Sequence, residues 1–390
     1  MNDLRKAAVD RKVVAVRVDL NVPTDDRGRI TDDTRIVAAL PTINHLRRSG
    51  AKVLLISHFG RPKGRPDPSM SLEPVARALE GYLDDPVAFA GDCIGPAVEE
   101  TVANIDYGEV ALLENVRFHP GETGNAPDFA RALAEPAEKF VNDAFGAAHR
   151  SHASVVGLAR LLPSYAGFLL ASEIAALERV LNNPERPLAA LVGGAKISSK
   201  IGVLRNLVER VDMLLLGGGM ANTFLAANGL DMQASLVESS HLNDASEIQR
   251  RARESGCEIV LPTDGVMASG LAAGAETVVV AVDQVPEGWT MLDIGPATER
   301  LFHDRLRLAR TIVWNGPMGM FEDRRFARGT ERIARGVAAS GAYSMIGGGD
   351  SVAAVKLLGI ESEFDHISTG GGASLEMLEG KTLPGIAALG

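Results

Sequence analysis

The stretch "YSMIGGGDSVAAV", residues 343–355, says most about the fold. A short apolar run leads into three glycines, and Asp350 and Ser351 then begin a stretch of helical composition. A buried strand that turns at glycines into a helix is the repeating unit of parallel α/β sheets. The loop has no lysine before Ser351, and Val352 stands where a G-x-G-x-x-G motif would have its third glycine. The stretch therefore predicts an α/β fold but leaves open whether its loop binds phosphate.

Strand-like runs of the same kind recur along the 390 residues and alternate with longer, alanine-rich helical stretches. Nearly continuous apolar strands separated by helices are typical of parallel sheets covered on both faces. A chain of this length exceeds a single hydrophobic core. We therefore predict an α/β fold of two doubly wound, Rossmann-like parallel-sheet domains that face each other across a cleft. The other strand candidates are residues 13–20, 52–57, 110–116, 139–145, 188–194, 211–219, 258–264, 277–282 and 311–317.

The boundary between the domains is predicted from residues 172–187, SEIAALERVLNNPERP. Apolar residues recur there at helical spacing, Ser172 is a candidate N-cap, and Pro184 and Pro187 end the pattern. We expect an N-terminal domain over 1–171, a connecting helix over 172–186 and a C-terminal domain over 187–375.

Composition argues against several classes of protein. A formal net charge of −10 and a pI of about 5.4 do not suit a nucleic-acid binder. No stretch approaches the roughly 18 apolar residues of a membrane span. Cys93 and Cys257 lie far apart without metal-ligand spacing, and so predict neither a disulfide nor a zinc site. A reducing cytoplasm is the expected compartment.

Cationic residues follow the strands of the first half, where the carboxyl ends of parallel strands would meet at one sheet edge. Because arginine forks match carboxylate and phosphate oxygens, this clustering predicts a basic cleft for a small, multiply negative ligand. Solvated surface charge is the alternative. The residues are His58, Arg61, Lys63, Arg65, Arg117, His119, His149, Arg150 and His152.

Glycine-rich loops follow the strands of the second half, as in LVGGAKISSK, LLLGGGMAN, VWNGPMGMFE and ISTGGGASLE. Glycine lets backbone N–H groups approach an anion, and a helix N-terminus adds partial positive charge. Any single loop could be a plain turn, but several at one edge favour a nucleotide site. Lys196 and Lys200 would share one face if a helix opens there. A small anion in one domain and a nucleotide in the other predict phosphoryl transfer between them.

Nine motifs follow one another from about residue 13 to 376: RVDLNVP, SHFGRP, ENVRF, NDAFGAAHR, VGGAKISSKI, LLLGGGMANTF, VWNGPMGMFE, IGGGDS and STGGGASLE. Together, and in this order, they closely resemble the motifs of the phosphoglycerate kinase family. The resemblance implies reversible phosphoryl transfer from 1,3-bisphosphoglycerate to ADP, giving 3-phosphoglycerate and ATP, with Mg²⁺ as cofactor. It also implies a monomer whose C-terminal residues, about 376–390, pack back on the first domain.

The resemblance implies a role for each matching residue of the first domain. Arg35 would reach the transferring phosphoryl group, and Asp19 and Asn21 would contact the glycerate. The basic patch around the phosphate that is not transferred would comprise His58, Arg61, Arg117 and Arg150, and Phe59 and Gly60 would also bind substrate.

In the second domain, the resemblance implies that Lys196 and Lys200 lie along the phosphates and that Asp350 takes the Mg²⁺. Gly371 and Gly372 would present amides to the transferred group, and Glu322 would accept from the ribose. The remaining nucleotide-binding residues would be Gly194, Ala195, Gly217, Gly218, Gly295, Pro317, Gly348, Gly349 and Ser351.

The implied chemistry needs no general base, because the acceptor is a carboxylate that is already ionised at neutral pH. Two alternatives stay open from the residues alone. One is an NAD-dependent dehydrogenase, which the absence of a G-x-G-x-x-G motif disfavours. The other is a catalytically silent nucleotide-binding protein, which the presence of Arg35, Lys196, Lys200 and Asp350 disfavours.

Overall fold

The central strands of both main sheets have side chains that are buried on both faces. In β1 (Val13–Arg17), the last four residues are no more than 1% exposed. Every residue of β13 (Thr311–Asn315) is buried. Successive strand residues point to opposite faces, so helices must cover both sides of each sheet. The computed structural model describes residues 2–25 and 27–390.

The described chain divides into two compact units. The first comprises the chain up to Ala175 together with Thr382–Gly390, and the second is Ala176–Lys381. The division falls inside α7 (Phe168–Leu181), which begins four residues earlier than the predicted connecting helix.

The first unit contains a six-stranded sheet in the order β3-β4-β2-β1-β5-β6, with all pairs parallel. Besides β1, its strands are β2 (Lys52–Ile56), β3 (Val87–Ala90), β4 (Val110–Leu113), β5 (Lys139–Asn142) and β6 (Ser164–Ala166). Its helices are α1 (Thr34–Arg48), α2 (Glu73–Leu83), α3 (Pro96–Asn104), α4 (Pro120–Thr123), α5 (Pro127–Ala134), α6 (Leu158–Leu161) and, near the C-terminus, α15 (Pro384–Ala387).

The second unit contains a six-stranded parallel sheet in the order β15-β14-β13-β7-β8-β9. Besides β13, its strands are β7 (Leu188–Val192), β8 (Met213–Leu216), β9 (Glu258–Val260), β14 (Tyr343–Gly347) and β15 (His366–Ile367). Its helices are α8 (Ile201–Leu207), α9 (Gly218–Ala227), α10 (Leu242–Ser255), α11 (Pro296–Leu306), α12 (Arg328–Ala338), α13 (Gly349–Leu358) and α14 (Gly371–Leu378). The prediction of two parallel-sheet α/β domains is therefore confirmed.

One predicted strand does not belong to a parallel sheet. Residues 277–282 contribute β11 (Thr277–Ala281), which pairs antiparallel with β10 (Asp264–Ala268), and β10 pairs antiparallel with β12 (Thr290–Ile294). Val278 and Val279 are 38% and 49% exposed. A run of β-branched residues favours an edge strand as much as a buried one, so the prediction of a parallel position was wrong.

The N-terminus of α7 is capped by a residue that the sequence pattern did not indicate. Asp143 Oδ1 accepts hydrogen bonds from Leu169 N at 2.9 Å and Leu170 N at 3.3 Å. Ser172 instead lies inside the helix and donates to Leu169 O, so its prediction as the N-cap was wrong. A carboxylate that follows β5 thus stabilises the start of α7 through its free N–H groups.

The last helix of the chain packs on the first unit, where Gly385 N donates to Ala148 O at 2.8 Å. Residues 376–378, in contrast, complete α14 in the second unit. Among the helices described, none is both long and apolar enough to span a membrane.

Candidate active site

The carboxyl ends of β1 and β2 bring two of the predicted substrate-binding motifs together. The two strands pair in parallel with Arg17 opposite Ile56, so the loops that follow leave the same edge of the sheet. Asn21 Oδ1 in the first loop accepts a hydrogen bond from Gly60 N in the second at 2.8 Å. RVDLNVP and SHFGRP therefore form one surface.

Arg35 reaches this surface from the first turn of α1. Its Nη1 donates to Asp19 Oδ1 at 3.1 Å and to Asn21 O at 2.9 Å. The side chain stays 36% exposed. Helical periodicity alone gives no reason to single out this arginine, yet the fold places it beside both predicted glycerate contacts.

Arg117 is held by the same loop after β2. Its Nη1 donates to Gly60 O at 2.6 Å, while its Nε is buried without a hydrogen-bond partner. Asn115 fixes the backbone nearby, since its side chain accepts from Phe59 N and donates to Phe59 O. An unpartnered buried guanidinium N–H is a donor that an anion could satisfy.

A cavity of about 550 Å³ opens among these loops. Four cationic side chains line it, and none of the side chains on its wall is acidic. Its lining consists of Arg61, Lys63, Gly64, Arg117, Pro120, Thr123, Arg150 and His152. Such a cavity suits a small ligand with several negative oxygens.

A buried polar chain supports the cavity from beneath. Arg17 Nη2 lies 2.9 Å from His58 Nδ1, and Arg17 Nε donates to Ser154 Oγ at 2.9 Å. Ser154 in turn donates to Glu122 through both Oγ, at 2.7 Å, and its backbone N, at 2.9 Å. Glu122 is fully buried, and its Oε1 lies 3.5 Å from His152 Nδ1. This polar chain contains one buried negative charge, on Glu122, and one buried positive charge, on Arg17, and the two offset each other.

The electrostatics of this region decide which groups carry charge. Burial, together with Arg17 and Arg150, lowers the pKa of His58 well below its usual value, so the ring is neutral at pH 7. The prediction grouped His58 with the arginines, but its neutral ring serves as an acceptor for Arg17. The pKa of Arg150 is lowered by burial and by the neighbouring Arg61 and Arg35, against the opposing charge of Asp19. That excess of positive charge is what a bound phosphate would relieve.

The second unit has its strand-order reversal between β7 and β13, which are adjacent although the chain places β8 and β9 after β7. In doubly wound sheets, ligands bind beyond the carboxyl ends of the strands at such a reversal. Gly194 follows β7 and Pro317 follows β13, and Gly194 N donates to Pro317 O at 3.0 Å. Two of the predicted nucleotide-binding loops therefore meet at the expected position.

Glycine is required where these loops cross. A Cβ on Gly193 would overlap Pro317 O, and one on Gly316 would overlap Gly193 O. Gly316 has a φ of +98°, a region that favours glycine. The crossing brings two backbone segments so close that no side chain fits between them.

Lys200 is fixed directly below this crossing. Its Nζ donates to Gly193 O at 2.8 Å, Asn315 O at 3.0 Å and Asn315 Oδ1 at 2.6 Å. Burial lowers its pKa to about 8, and the charge of Asp350 opposes that shift. The Asn315 amide nitrogen is buried with no partner and lies beside Gly348. The cation that the loop at 345–355 lacks is thus provided by the end of another strand.

The starts of α9 and α13 differ in whether their backbone N–H groups already have a hydrogen-bond acceptor. Gly217 and Gly348 are the N-cap residues of α9 and α13, and neither has a side chain to cap its helix. In α9 the amide of Gly218 already donates to Met318 O. In α13 the open space beside Gly349 could take an acceptor from elsewhere. The start of α13 is therefore more open to an acceptor than the start of α9.

Residues 371 and 372 open α14, and the N-cap of that helix is Gly370. A Cβ on Gly371 would meet no other atom within 4 Å. Ser351 is fully buried, and its Oγ accepts a hydrogen bond from Gly316 N at 2.5 Å. Its hydroxyl thus links the β13 loop to the start of α13.

Several predicted residues lie in surroundings that sequence reasoning did not anticipate. Lys196 is exposed, and α8 begins only at Ile201, so the condition for both lysines to share one helix face is not met. Gly295 precedes α11, and a Cβ there would overlap Asp264. Glu322 is exposed in the turn after β13. Ala195 is also exposed, and its backbone packs against the start of α9. A Cβ on Gly219 would overlap the Ala195 carbonyl oxygen.

Sequence reasoning missed Glu122, Ser154 and Asn315 as supporting residues of the site. Each is polar and no more than 3% exposed. Asn315 lies within VWNGPMGMFE, whereas Glu122 and Ser154 each lie four residues after a quoted motif, ENVRF and NDAFGAAHR. Burial of a polar residue is the signal that would find them, and burial is visible only once the strands are assembled.

Comparisons with known proteins agree with this geometry. The family model described as phosphoglycerate kinase matches residues 4–381. The chain belongs to the phosphoglycerate kinase family. A relative named phosphoglycerate kinase from Moorella thermoacetica is 55% identical over 386 residues, covering 99% of this chain and 98% of the relative. One of the same name from Rubrobacter xylanophilus is 55% identical over 378 residues, with 97% and 95% coverage.

Solved structures point the same way. The phosphoglycerate kinase from Coxiella burnetii has a TM-score of 0.92 and 42% sequence identity, covering all of this chain and 98% of its own. That from Pyrococcus horikoshii OT3 has a TM-score of 0.87 and 36% identity, with the same coverage. The chain is therefore a phosphotransferase with phosphoglycerate kinase function, and these matches support neither the dehydrogenase nor the silent-binder alternative.

Proposed function

We propose that the chain transfers a phosphoryl group between 1,3-bisphosphoglycerate and ADP with the residues described above in divided roles. The cavity lined by Arg61, Arg117 and Arg150 holds the phosphoglycerate, and the β7–β13 crossing holds the nucleotide. The observation that carries this division is the cavity itself: four cations and no acid on its wall, in a protein of net charge −10. A uniformly solvated surface would mix both signs of charge.

Within the first unit, phosphate binding and charge neutralisation fall to different arginines. Arg61, Arg117 and Arg150 line the cavity and bind the phosphate that stays in place. Arg35 is not part of that lining and is held by Asp19 and Asn21 O instead. A guanidinium held in position by two acceptors can neutralise charge that develops on the moving phosphoryl group at little reorganisation cost.

Asp19 acts as an orienting group and not as a base. The acceptor carboxylate of 3-phosphoglycerate is ionised at neutral pH and has no proton to remove. Asp19 already accepts from Arg35 at 3.1 Å and from Asn21 N at 3.3 Å. Both contacts position cationic or amide donors around the substrate.

Within the second unit, Lys200 and the start of α13 bind the phosphates of the nucleotide. The three acceptors of Lys200 point its ammonium group at the loop crossing, and the α13 helix dipole adds partial positive charge. Gly371 and Gly372 offer a further helix start to the transferred group. Glu322, which is exposed in the turn after β13, accepts a hydrogen bond from the ribose.

The residues present also fit a Mg²⁺ ion that accompanies the nucleotide. Asp350 offers an exposed carboxylate in the first turn of α13, which is the hard oxygen ligand that Mg²⁺ prefers. Such an ion neutralises phosphate charge during transfer. Ser351, one residue on, is occupied by Gly316 N and so supports the loop.

A coupled assay that follows ATP formation from ADP and 1,3-bisphosphoglycerate tests the proposal. We expect turnover that depends on Mg²⁺, and no nicotinamide-dependent turnover without a coupling enzyme. Folded protein that binds both substrates without forming ATP would refute it.

A further inference from the structure

A cluster of metal-ligating side chains includes none of the residues that line the cavity. Asp92 and Cys93 follow β3, and His119 directly precedes α4. Their candidate ligand atoms, one from each residue, all lie within 4.8 Å of one another. β3 and β4 pair in parallel, which brings the loops after these two strands to one edge of the sheet. From the residues described, we propose that Asp92, Cys93 and His119 form a binding site for a thiophilic divalent cation such as Zn²⁺ or Co²⁺.

The three side chains are already held in place. His119 Nε2 lies 2.7 Å from Asp92 Oδ1, and the same oxygen accepts from Cys93 N at 2.6 Å. The His119 ring stacks on Phe129 with centroids 5.1 Å apart, which fixes the plane of the imidazole. Ligands about 2.0–2.3 Å from a tetrahedral ion would be roughly 3.3–3.8 Å apart, so binding needs only small side-chain movements.

The cluster also has a route for the ion to enter. Cys93 is 1% exposed, but the side chains of Asp92 and His119 are 45% and 28% exposed. An ion can therefore meet the carboxylate and the imidazole at the surface before it reaches the sulfur. Sulfur, nitrogen and oxygen from three residues, with a fourth position left for water, match an open Zn²⁺ site.

Charge balance favours a divalent ion here. Binding breaks the S–H bond, forms a metal–sulfur bond and releases the proton to solvent, with no change of oxidation state. One thiolate and one carboxylate, with a neutral imidazole, then offset the two positive charges of the ion.

The neighbouring carboxylate of Glu122 does not complete the set. It accepts from Ser154 N and Oγ and faces His152, so its oxygens are committed to the polar chain under the cavity. The site is therefore distinct from both the cavity and Asp350. Sequence spacing gave no sign of it, since His119 lies 26 positions after Cys93.

Titration of the metal-free protein with Co²⁺, without nucleotide, tests the proposal. We expect one equivalent to bind with a thiolate-to-cobalt charge-transfer band in the near ultraviolet. Cys93→Ser should abolish the band, and His119→Ala should weaken binding by more than about tenfold, since even outer-shell changes cost that much. Cys257→Ser is the matched control, because Cys257 is also a buried free thiol but belongs to the second unit.

The readout separates this site from the activity, because a carboxylate site for Mg²⁺ gives no thiolate band. Asp92→Asn tests the third ligand and remains informative if Cys93→Ser fails to fold. It keeps an oxygen acceptor for Cys93 N and His119. We expect this variant to bind Co²⁺ more weakly and to retain the thiolate-to-cobalt band. Absence of the band in the wild type, or a band that survives in Cys93→Ser or disappears in Cys257→Ser, would overturn the assignment.

Discussion

The titration of Lys200 links the geometry of the nucleotide loops to a measurable pH dependence. Burial lowers its pKa from 10.5 to about 8. At about 1.4 kcal/mol per pKa unit, the ammonium form is disfavoured by about 3 kcal/mol relative to a lysine in water. Three acceptors surround Nζ, and a neutral amine has only two N–H donors to give them. Deprotonation therefore costs both a hydrogen bond and the charge that attracts phosphate.

We predict that kcat/KM for ATP falls about tenfold per pH unit above a pKa near 8 in the free enzyme. The nucleotide phosphates do not contribute, because their second ionisation is complete well below that pH, near ~6. The assay is ATP consumption with saturating 3-phosphoglycerate between pH 6.5 and 9.5, in buffers of constant ionic strength.

Two variants identify the group. Lys200→Arg carries a guanidinium that stays charged, so its remaining activity should show no such decline. Lys12→Met should keep the decline, because Lys12 is exposed in the first unit and pairs with Glu138. A wild-type profile that stays flat to pH 9.5, or the same decline in Lys200→Arg, would refute the reasoning.

The lowered pKa of Lys200 also predicts how the free energy of unfolding changes with pH. Because the folded pKa lies below the unfolded one, the unfolded chain binds more protons between pH 8 and 10.5. Wild-type stability should therefore rise with pH across that window relative to Lys200→Met, by at most about 3 kcal/mol. Urea unfolding of the two proteins at both ends of the window gives the difference.

Three further outcomes are expected. Gly316→Ala should lower Tm by more than about 8 °C and raise KM for ATP, because the new Cβ would overlap a backbone oxygen. The control Gly341→Ala should lower Tm by no more than about 4 °C, because Gly341 also has a positive φ but open space around it. Glu122→Gln should raise KM for 3-phosphoglycerate at least fivefold and leave kcat unchanged, because the buried guanidinium of Arg17 loses its counter-charge. The control Glu331→Gln, on an exposed part of α12, should change neither constant. Equal effects of the two substitutions would contradict the supporting role of Glu122. Asp350→Asn should raise the Mg²⁺ concentration for half-maximal rate at least tenfold and leave KM for 3-phosphoglycerate alone, and an unchanged Mg²⁺ dependence would remove the metal assignment.

The sequence predicts the sheets well because strand ends in this fold are marked by glycine and by short apolar runs. YSMIGGG and TIVWNGP each become a buried parallel strand, β14 and β13. TVVVAV carries the same local signal, yet it forms an exposed antiparallel strand. The difference lies in which surfaces the assembled chain leaves uncovered, and no local pattern encodes that.

The contacts within the candidate site could likewise be predicted only in part from the sequence. The cationic loops could be expected to converge, since parallel strands end at one edge, and the cavity confirms that Arg61, Arg117 and Arg150 do so. The contact between Arg35 and Asp19 could not be derived from spacing, because it depends on how α1 packs on the sheet, where it contacts β2. Residues that only support others, such as Glu122, become visible when burial leaves a polar group needing a partner.

The central claim is that one arginine of the first unit acts on the moving phosphoryl group while others hold the substrate. Steady-state kinetics of Arg35→Ala and Arg61→Ala, in the direction of ATP formation, test it directly. Arg35 is held by Asp19 and Asn21, and Arg61 lines the cavity. We predict that Arg35→Ala mainly lowers kcat, by about 10²-fold or more, and that Arg61→Ala mainly raises KM for the phosphoglycerate. Effects on KM alone in both variants would contradict the division of roles.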